Sequence, residues 1–188
     1  IFTHIPGLKV VVPSSPYEAK GLLIQAVRDN DPVISCEHKS LHHIQEDVPE
    51  SSYAIPFGES NILREGGDAT IVAFGFMVKK SMEAASKLAK EGIQCEVIDP
   101  RTTSPLDLET IIESVENTGR LVVVDESNPR CSIAADISAQ ITEQAFNSLK
   151  GPVKMVTAPH CPPPFSDVLE DLYIPSPEKI AEAVKSLN

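Results

Sequence analysis

Five stretches of this 188-residue chain carry side chains whose types and spacing could do chemistry. His38 and His42 stand four apart, with His43 and Glu46 close behind, a spacing compatible with a metal if the stretch were helical. The order lacks the H-E-x-x-H arrangement of a helical zinc site and the surroundings look irregular, so surface or interface histidines are the better reading. Cys131 could sit at a helix N-terminus, where thiolates are stabilised. Nothing in the sequence pairs it with a base, and a small packing residue fits better. Arg101-Thr102-Thr103 follows a strand end, where α/β sheets often carry function; an ion pair pinning the connector fits equally. His160 precedes Cys161 and three prolines in a loop better suited to an interface than to proton transfer.

The fifth constellation is a helix end. Ala26, Val27 and Asp29 fall in the last turn of a predicted helix, whose carbonyls have no helical partner and carry partial negative charge. Asp31 adds a carboxylate held extended by Pro32. Carbonyls with carboxylates suit a hard cation. A hydrated helix end with two exposed acids suits the residues too, and on the residues alone it is favoured. No G-x-G-x-x-G and no G-x-x-x-x-G-K-[ST] occurs, and Gly75 stands alone near a strand end, so no dinucleotide site is expected.

The elements that must position these groups are legible. Residues 8–12 make a short apolar strand, and Ser15, Pro16 and Glu18 occupy N-cap, N1 and N3 with capping-box spacing. Ala19, Leu22, Leu23 and Ala26 share one face of that helix, which stops near 29–30, and 32–36 begins a second strand. Periodicity fails from 38 to about 60. Further strands are expected at 70–74, 95–98, 121–124 and 153–156. Helices are expected at 79–91, ended by Gly92, and from Asp107 to Gly119, with others at 132–149 and from Ser176 onward. The last should bury Ile180, Ala183, Val184 and Leu187. The alternation predicts an α/β fold with a mainly parallel sheet covered by helices on both faces.

Twenty-seven acidic against 16 basic residues leave a net charge of −11, which argues against nucleic acid and anionic membrane surfaces. The longest apolar run, from Thr70, is strand-sized and far short of the roughly 18 residues of a span. Cys36, Cys95, Cys131 and Cys161 are widely spaced and read as buried, reduced thiols of a cytoplasmic protein. The chain starts at Ile1 without methionine and meets a strand almost at once. It is expected to be cut from a longer protein, and to associate through surface that missing strands would have covered.

The wording LKVVVPSSPYEAKGLLIQAVRDNDPVISCE, EGGDATIVAFG, KEGIQCEVIDPRTTSPLDLETI and GRLVVVDESNPRCSIAADI resembles the β subunits of thiamine diphosphate-dependent 2-oxo acid and acetoin dehydrogenases. The likeness continues through VKMVTAPHCPPPFSDVLEDLYIPSPEKIAEAV and covers essentially the whole chain. EHKSL, VDESNPRCS and APHCPPPFS look most like the acetoin branch. The resemblance implies that residues 1–56 end a pyrimidine-binding domain and that 57–188 form a transketolase C-terminal-type domain.

It also implies an α2β2 enzyme that holds thiamine diphosphate between α and β subunits, with Mg2+ on the diphosphate at the α subunit. Such an enzyme passes a two-carbon unit to a lipoyl acyltransferase, and its β subunit contacts the α subunit, a second β subunit and the acyltransferase core. The activating glutamate of the family lies upstream of Ile1, so no catalytic or cofactor-binding residue is assigned, and this stretch alone is expected to be inactive. What carries over is a K+ site, whose ligands map onto Ala26, Val27, Asp29 and Asp31.

Overall fold

Apolar runs and capped amphipathic stretches alternate along the chain, and the computed structural model, which describes residues 1–187, assembles them into two sheets. Strand β1 (Lys9–Val11), helix α1 (Pro16–Arg28) and strand β2 (Val33–Ser35) form the first strand–helix–strand unit, with the two strands parallel. Ser15 caps α1 by accepting the Glu18 amide at 3.2 Å. The Glu18 side chain does not return to Ser15 but accepts from the amide and hydroxyl of Ser14 at 3.0 and 2.7 Å. Leu22 is buried, Ala19 and Ala26 are half-buried, and Leu23 is exposed. The apolar face of α1 is therefore narrower than its spacing suggested, because only a three-stranded sheet lies beneath it.

Beyond an irregular stretch come β3 (Asn61–Arg64), β4 (Ala69–Ala73), α2 (Phe76–Lys90), β5 (Cys95–Asp99), β6 (Thr102–Ser104) and α3 (Leu108–Thr118). They are followed by β7 (Leu121–Asp125), α4 (Ile133–Gln144), β8 (Lys154–Thr157), α5 (Asp167–Tyr173) and α6 (Pro177–Lys185). The larger sheet has the order β3-β5-β4-β7-β8 and is parallel except for β3. Alternate residues of β4 serve opposite faces. Ile71 and Ala73 pack with Met77, Leu88, Ile180 and Val184 from α2 and α6. Val72 packs with Ile111, Val115, Ile137 and Ile141 from α3 and α4. Every residue of β4 and β7 is buried, the pattern of strands covered on both sides. The one polar member of β4, Thr70, is satisfied by the Ser114 and Thr118 hydroxyls at 2.6 and 2.8 Å.

Several boundaries differ from the sequence reading. Helix α2 starts at Phe76 rather than 79, and the helix expected over 132–149 stops at Gln144, followed by a 3-10 turn at Phe146–Ser148. Ala183 is half-buried, and Ala181 is buried in its place. Strands β3 and β6 and helix α5 carried no expectation. β3 is an edge strand with Ile62 and Leu63 exposed, so it shows no buried alternation. β6 is three polar residues that pair antiparallel with β1, so a piece of chain from beyond residue 100 completes the first sheet in the order β2-β1-β6.

Candidate cation site and the seam beside it

Helix α1 ends with Asp29 as C-cap in extended backbone. Its amide reaches the Ala26 carbonyl at only 3.4 Å. The Asp31 amide, which helical geometry would direct to Val27, donates instead to Asp29 Oδ1 at 2.9 Å. The structure thus gathers Ala26, Val27, Asp29 and Asp31 in one turn. A fifth member, Lys9, is not foreshadowed by spacing along the chain. Lys9 Nζ donates to both Asp29 oxygens at 2.7 and 2.8 Å and lies 3.1 Å from Asp31 Oδ2. Hydrogen bonds to Asp29 and then Asp31 raise the Lys9 ammonium above its ordinary range, and the Lys9 bond lowers the Asp29 carboxyl. Parallel pairing of β1 with β2 sets Lys9 beside Val33, just past Asp31, and that register was the only available signal. Among the described residues, no three His, Cys, Asp or Glu side chains converge as a metal cluster.

At the other end of β1 lies a polar seam. Arg101, between β5 and β6, adopts a left-handed φ of 61°, which is uncommon for a non-glycine residue. Its Nε donates to Glu18 Oε1 at 2.9 Å and its amide donates to Asp99 Oδ1 at 2.8 Å. Its carbonyl accepts from Val12 at 2.8 Å. Of the two readings open for Arg101, the structure shows the ion pair. Burial pushes the Glu18 carboxyl up, but bonds from Arg101 and Ser14 outweigh it and leave the group below the ordinary glutamate range. Asp99 is fully buried, and burial, then the charge of Glu18, pushes its carboxyl up to about 8.

The remaining candidates stay apart. His38 stacks on Phe76 with ring centroids 4.9 Å apart and meets Glu126 Oε1 at 3.0 Å, so it joins the two units rather than a metal. His42 lies 3.6 Å from Glu37, and His160 Nδ1 lies 3.2 Å from Asn128 Oδ1. All four cysteines are free; Cys95 is buried, Cys36 is half-buried, and Cys131 and Cys161 are exposed. The expectation of four buried thiols fails for the latter two because both stand in loops past the ends of β7 and β8 rather than in strands. A cavity of about 980 Å³ opens between the sheets, lined in part by Cys36, Cys131, Arg130, Asp125 and Asp136.

Residues 58–180 match the family described as the transketolase C-terminal domain. The chain belongs to that family. As a transketolase C-terminal domain it is preceded by residues 1–45, which match the transketolase pyrimidine-binding domain. It is 64% identical, over 98% of its length, to the acetoin:2,6-dichlorophenolindophenol oxidoreductase subunit beta of Cupriavidus necator, and spans 55% of that protein. The subunit of the same name from Bacillus subtilis is 52% identical over 100% of the chain, again across 55% of the relative. A solved split-gene transketolase, described as an inactive beta4 tetramer, superposes with a TM-score of 0.82 at 25% identity, covering 99% of this chain and 59% of that one. The chain therefore spans little more than half the length of the relatives it matches. No described helix is long and apolar enough to cross a membrane.

Proposed function

We propose that this chain is the C-terminal part of the β subunit of a thiamine diphosphate-dependent acetoin dehydrogenase, a cytoplasmic α2β2 enzyme that cleaves acetoin and passes the two-carbon unit to a lipoyl acyltransferase. The observation that carries the reading is the 64% identity to the Cupriavidus necator subunit, against 47% to the pyruvate dehydrogenase E1 component subunit beta of Bacillus subtilis. Residues 1–56 would close the pyrimidine-binding domain, and 57–188 would serve assembly with the α subunit and a second β subunit and docking of the acyltransferase. The residues present do not themselves make a thiamine diphosphate site. The sequence has no glycine-rich phosphate motif, and in the cavity between the sheets the carboxylates of Asp125 and Asp136 stand against the single guanidinium of Arg130, a poor setting for a diphosphate. Full-length protein reconstituted with its α subunit should reduce a dye with acetoin and only weakly with pyruvate. Preference for pyruvate or a branched-chain 2-oxo acid would move the chain to the 2-oxo acid dehydrogenases.

K+ would rest on the Ala26 and Val27 carbonyls, with Asp29 and Asp31 completing the site. The donor chemistry fits, since all are hard oxygens: Asp29 Oδ1 is taken up by Lys9 and the Asp31 amide, but Asp29 Oδ2 and Asp31 Oδ2 each keep a lone pair beyond their contact with Lys9. Lys9 already balances the carboxylates, so the ion's role would be to satisfy helix-end carbonyls and fix the turn into β2. Thermal stability of the full-length protein should be higher in K+ than in tetramethylammonium, and Asp29→Ala should shrink that difference. Equal stability in both cations would remove the site.

A further inference from the structure

We propose that Asp99 is protonated in the folded protein and donates that proton as a hydrogen bond to Glu18, making Glu18, Asp99 and Arg101 a one-proton clamp between α1 and the β5–β6 turn. The clamp loosens when the proton leaves. Two buried carboxyl groups meet one half-buried guanidinium here: Asp99 is 0% exposed and Glu18 is 2% exposed. One Arg101 charge neutralises one carboxylate, so the second must be a neutral acid or stand as an uncompensated buried charge.

The proton belongs on Asp99. Glu18 accepts from Arg101 Nε at 2.9 Å, from the amide and hydroxyl of Ser14 at 3.0 and 2.7 Å, and from the Asn61 amide at 3.4 Å, which is the surrounding of an ion. Asp99 accepts the Arg101 amide on Oδ1; the Ser14 hydroxyl beside it donates to Glu18, and Asp99 Oδ2 has no donor. A hydroxyl on Oδ2 needs an acceptor, and the Glu18 carboxylate, held by the same Arg101, is the neighbouring group that offers one. The charged groups facing Asp99 are Glu18 from α1 and Arg101 from the turn; β3 and the segment before α1 present the neutral Asn61 and Ser14. The upward shift of Asp99 has the same origin, burial first and the Glu18 charge second.

The consequence has a definite sign. A carboxyl raised on folding contributes stability that is complete below the ordinary aspartate value and is lost as pH rises through the raised one. Each pH unit in that window lowers the folding equilibrium constant about tenfold through Asp99 alone. In full-length protein, Asp99→Asn keeps a neutral donor and an acceptor in place of the acid. It should abolish this component, leaving a flatter stability profile between about pH 5 and pH 8. Wild type should also show a protonated-carboxyl infrared band near neutral pH that Asp99→Asn lacks and that disappears on alkaline titration. Hydrogen exchange of the Val12 amide, bonded to the Arg101 carbonyl, should accelerate beyond intrinsic base catalysis in wild type above that titration and not in the variant. If Asp99→Asn does not fold, the wild-type infrared titration decides alone. Absence of the band, or identical stability profiles for the two proteins, overturns the clamp.

Discussion

In the five-stranded sheet, β4 and β7 are buried along their whole length, and the helices on each face add Leu88, Ile180, Ile111 and Ile141 to two large apolar clusters. In the three-stranded sheet, the fully packed apolar group is Val11, Leu22 and Ile55, and β2 stays partly open to solvent. What the smaller layer lacks in apolar burial it makes up with polar ties to the larger one. These are the Glu18–Arg101 pair and the Val12–Arg101 backbone bond; Ser104 Oγ to the Leu8 carbonyl at 2.9 Å and the Thr3–Thr103 hydroxyl contact at 2.7 Å then fasten β6, the strand that runs on from Arg101, into the smaller sheet. One unit is held by its own core, and the other is held to its neighbour.

Core truncations should measure that difference. Ile71→Ala, in the centre of the large sheet, should cost about 4–5 kcal/mol, and Leu22→Ala about 2–3 kcal/mol, since the shallow cluster around Leu22 can collapse. Chemical denaturation of both variants checks the ordering. Arg101→Met should destabilise by about 3–4 kcal/mol, because it strands the buried Glu18 carboxylate, and Glu18→Gln in the same background should recover part of the loss.

Two glycines sharpen the contrast at smaller cost. A Cβ on Gly66 would stand 2.3 Å from the Cys95 carbonyl carbon, and backbone cannot retreat, so Gly66→Ala should cost about 3 kcal/mol. On Gly21 it would meet Ile55 and Tyr53 side chains at 2.6–2.8 Å. These can rotate away, and Gly21→Ala should cost about 1–2 kcal/mol. At the bottom of the scale, Lys87 holds Glu178 down to about 2, yet both are exposed. Lys87→Met should leave the thermal midpoint unchanged while the Glu178 titration moves up.

The same contrast explains what the sequence disclosed. Strands β4, β5 and β7 announce themselves because burial on both faces demands nearly continuous apolar runs, and Ser15, Asp107, Ser132 and Ser176 mark helix starts because each caps one. The polar seam had no such signature. β6 is Thr-Thr-Ser and becomes a strand only because β1 offers an edge, and α5 carries Val168, Leu169 and Leu172 toward solvent. At the helix end, local rules located the carbonyls and carboxylates. Lys9 escaped because its contact with Asp29 depends on pairing between strands rather than on spacing along the chain. Glu18 read as a capping residue, and nothing in its neighbourhood pointed to Arg101, which lies 83 positions away.

Native-state hydrogen exchange on the full-length protein tests the division between the two layers most directly. The amides of Val10 and Val11 should exchange through a partial opening that leaves Val123 protected, and Arg101→Met should accelerate that opening while exchange at Val123 follows only the global loss of stability. Exchange of both strands through a single common opening, with the same denaturant dependence in wild type and Arg101→Met, would contradict it.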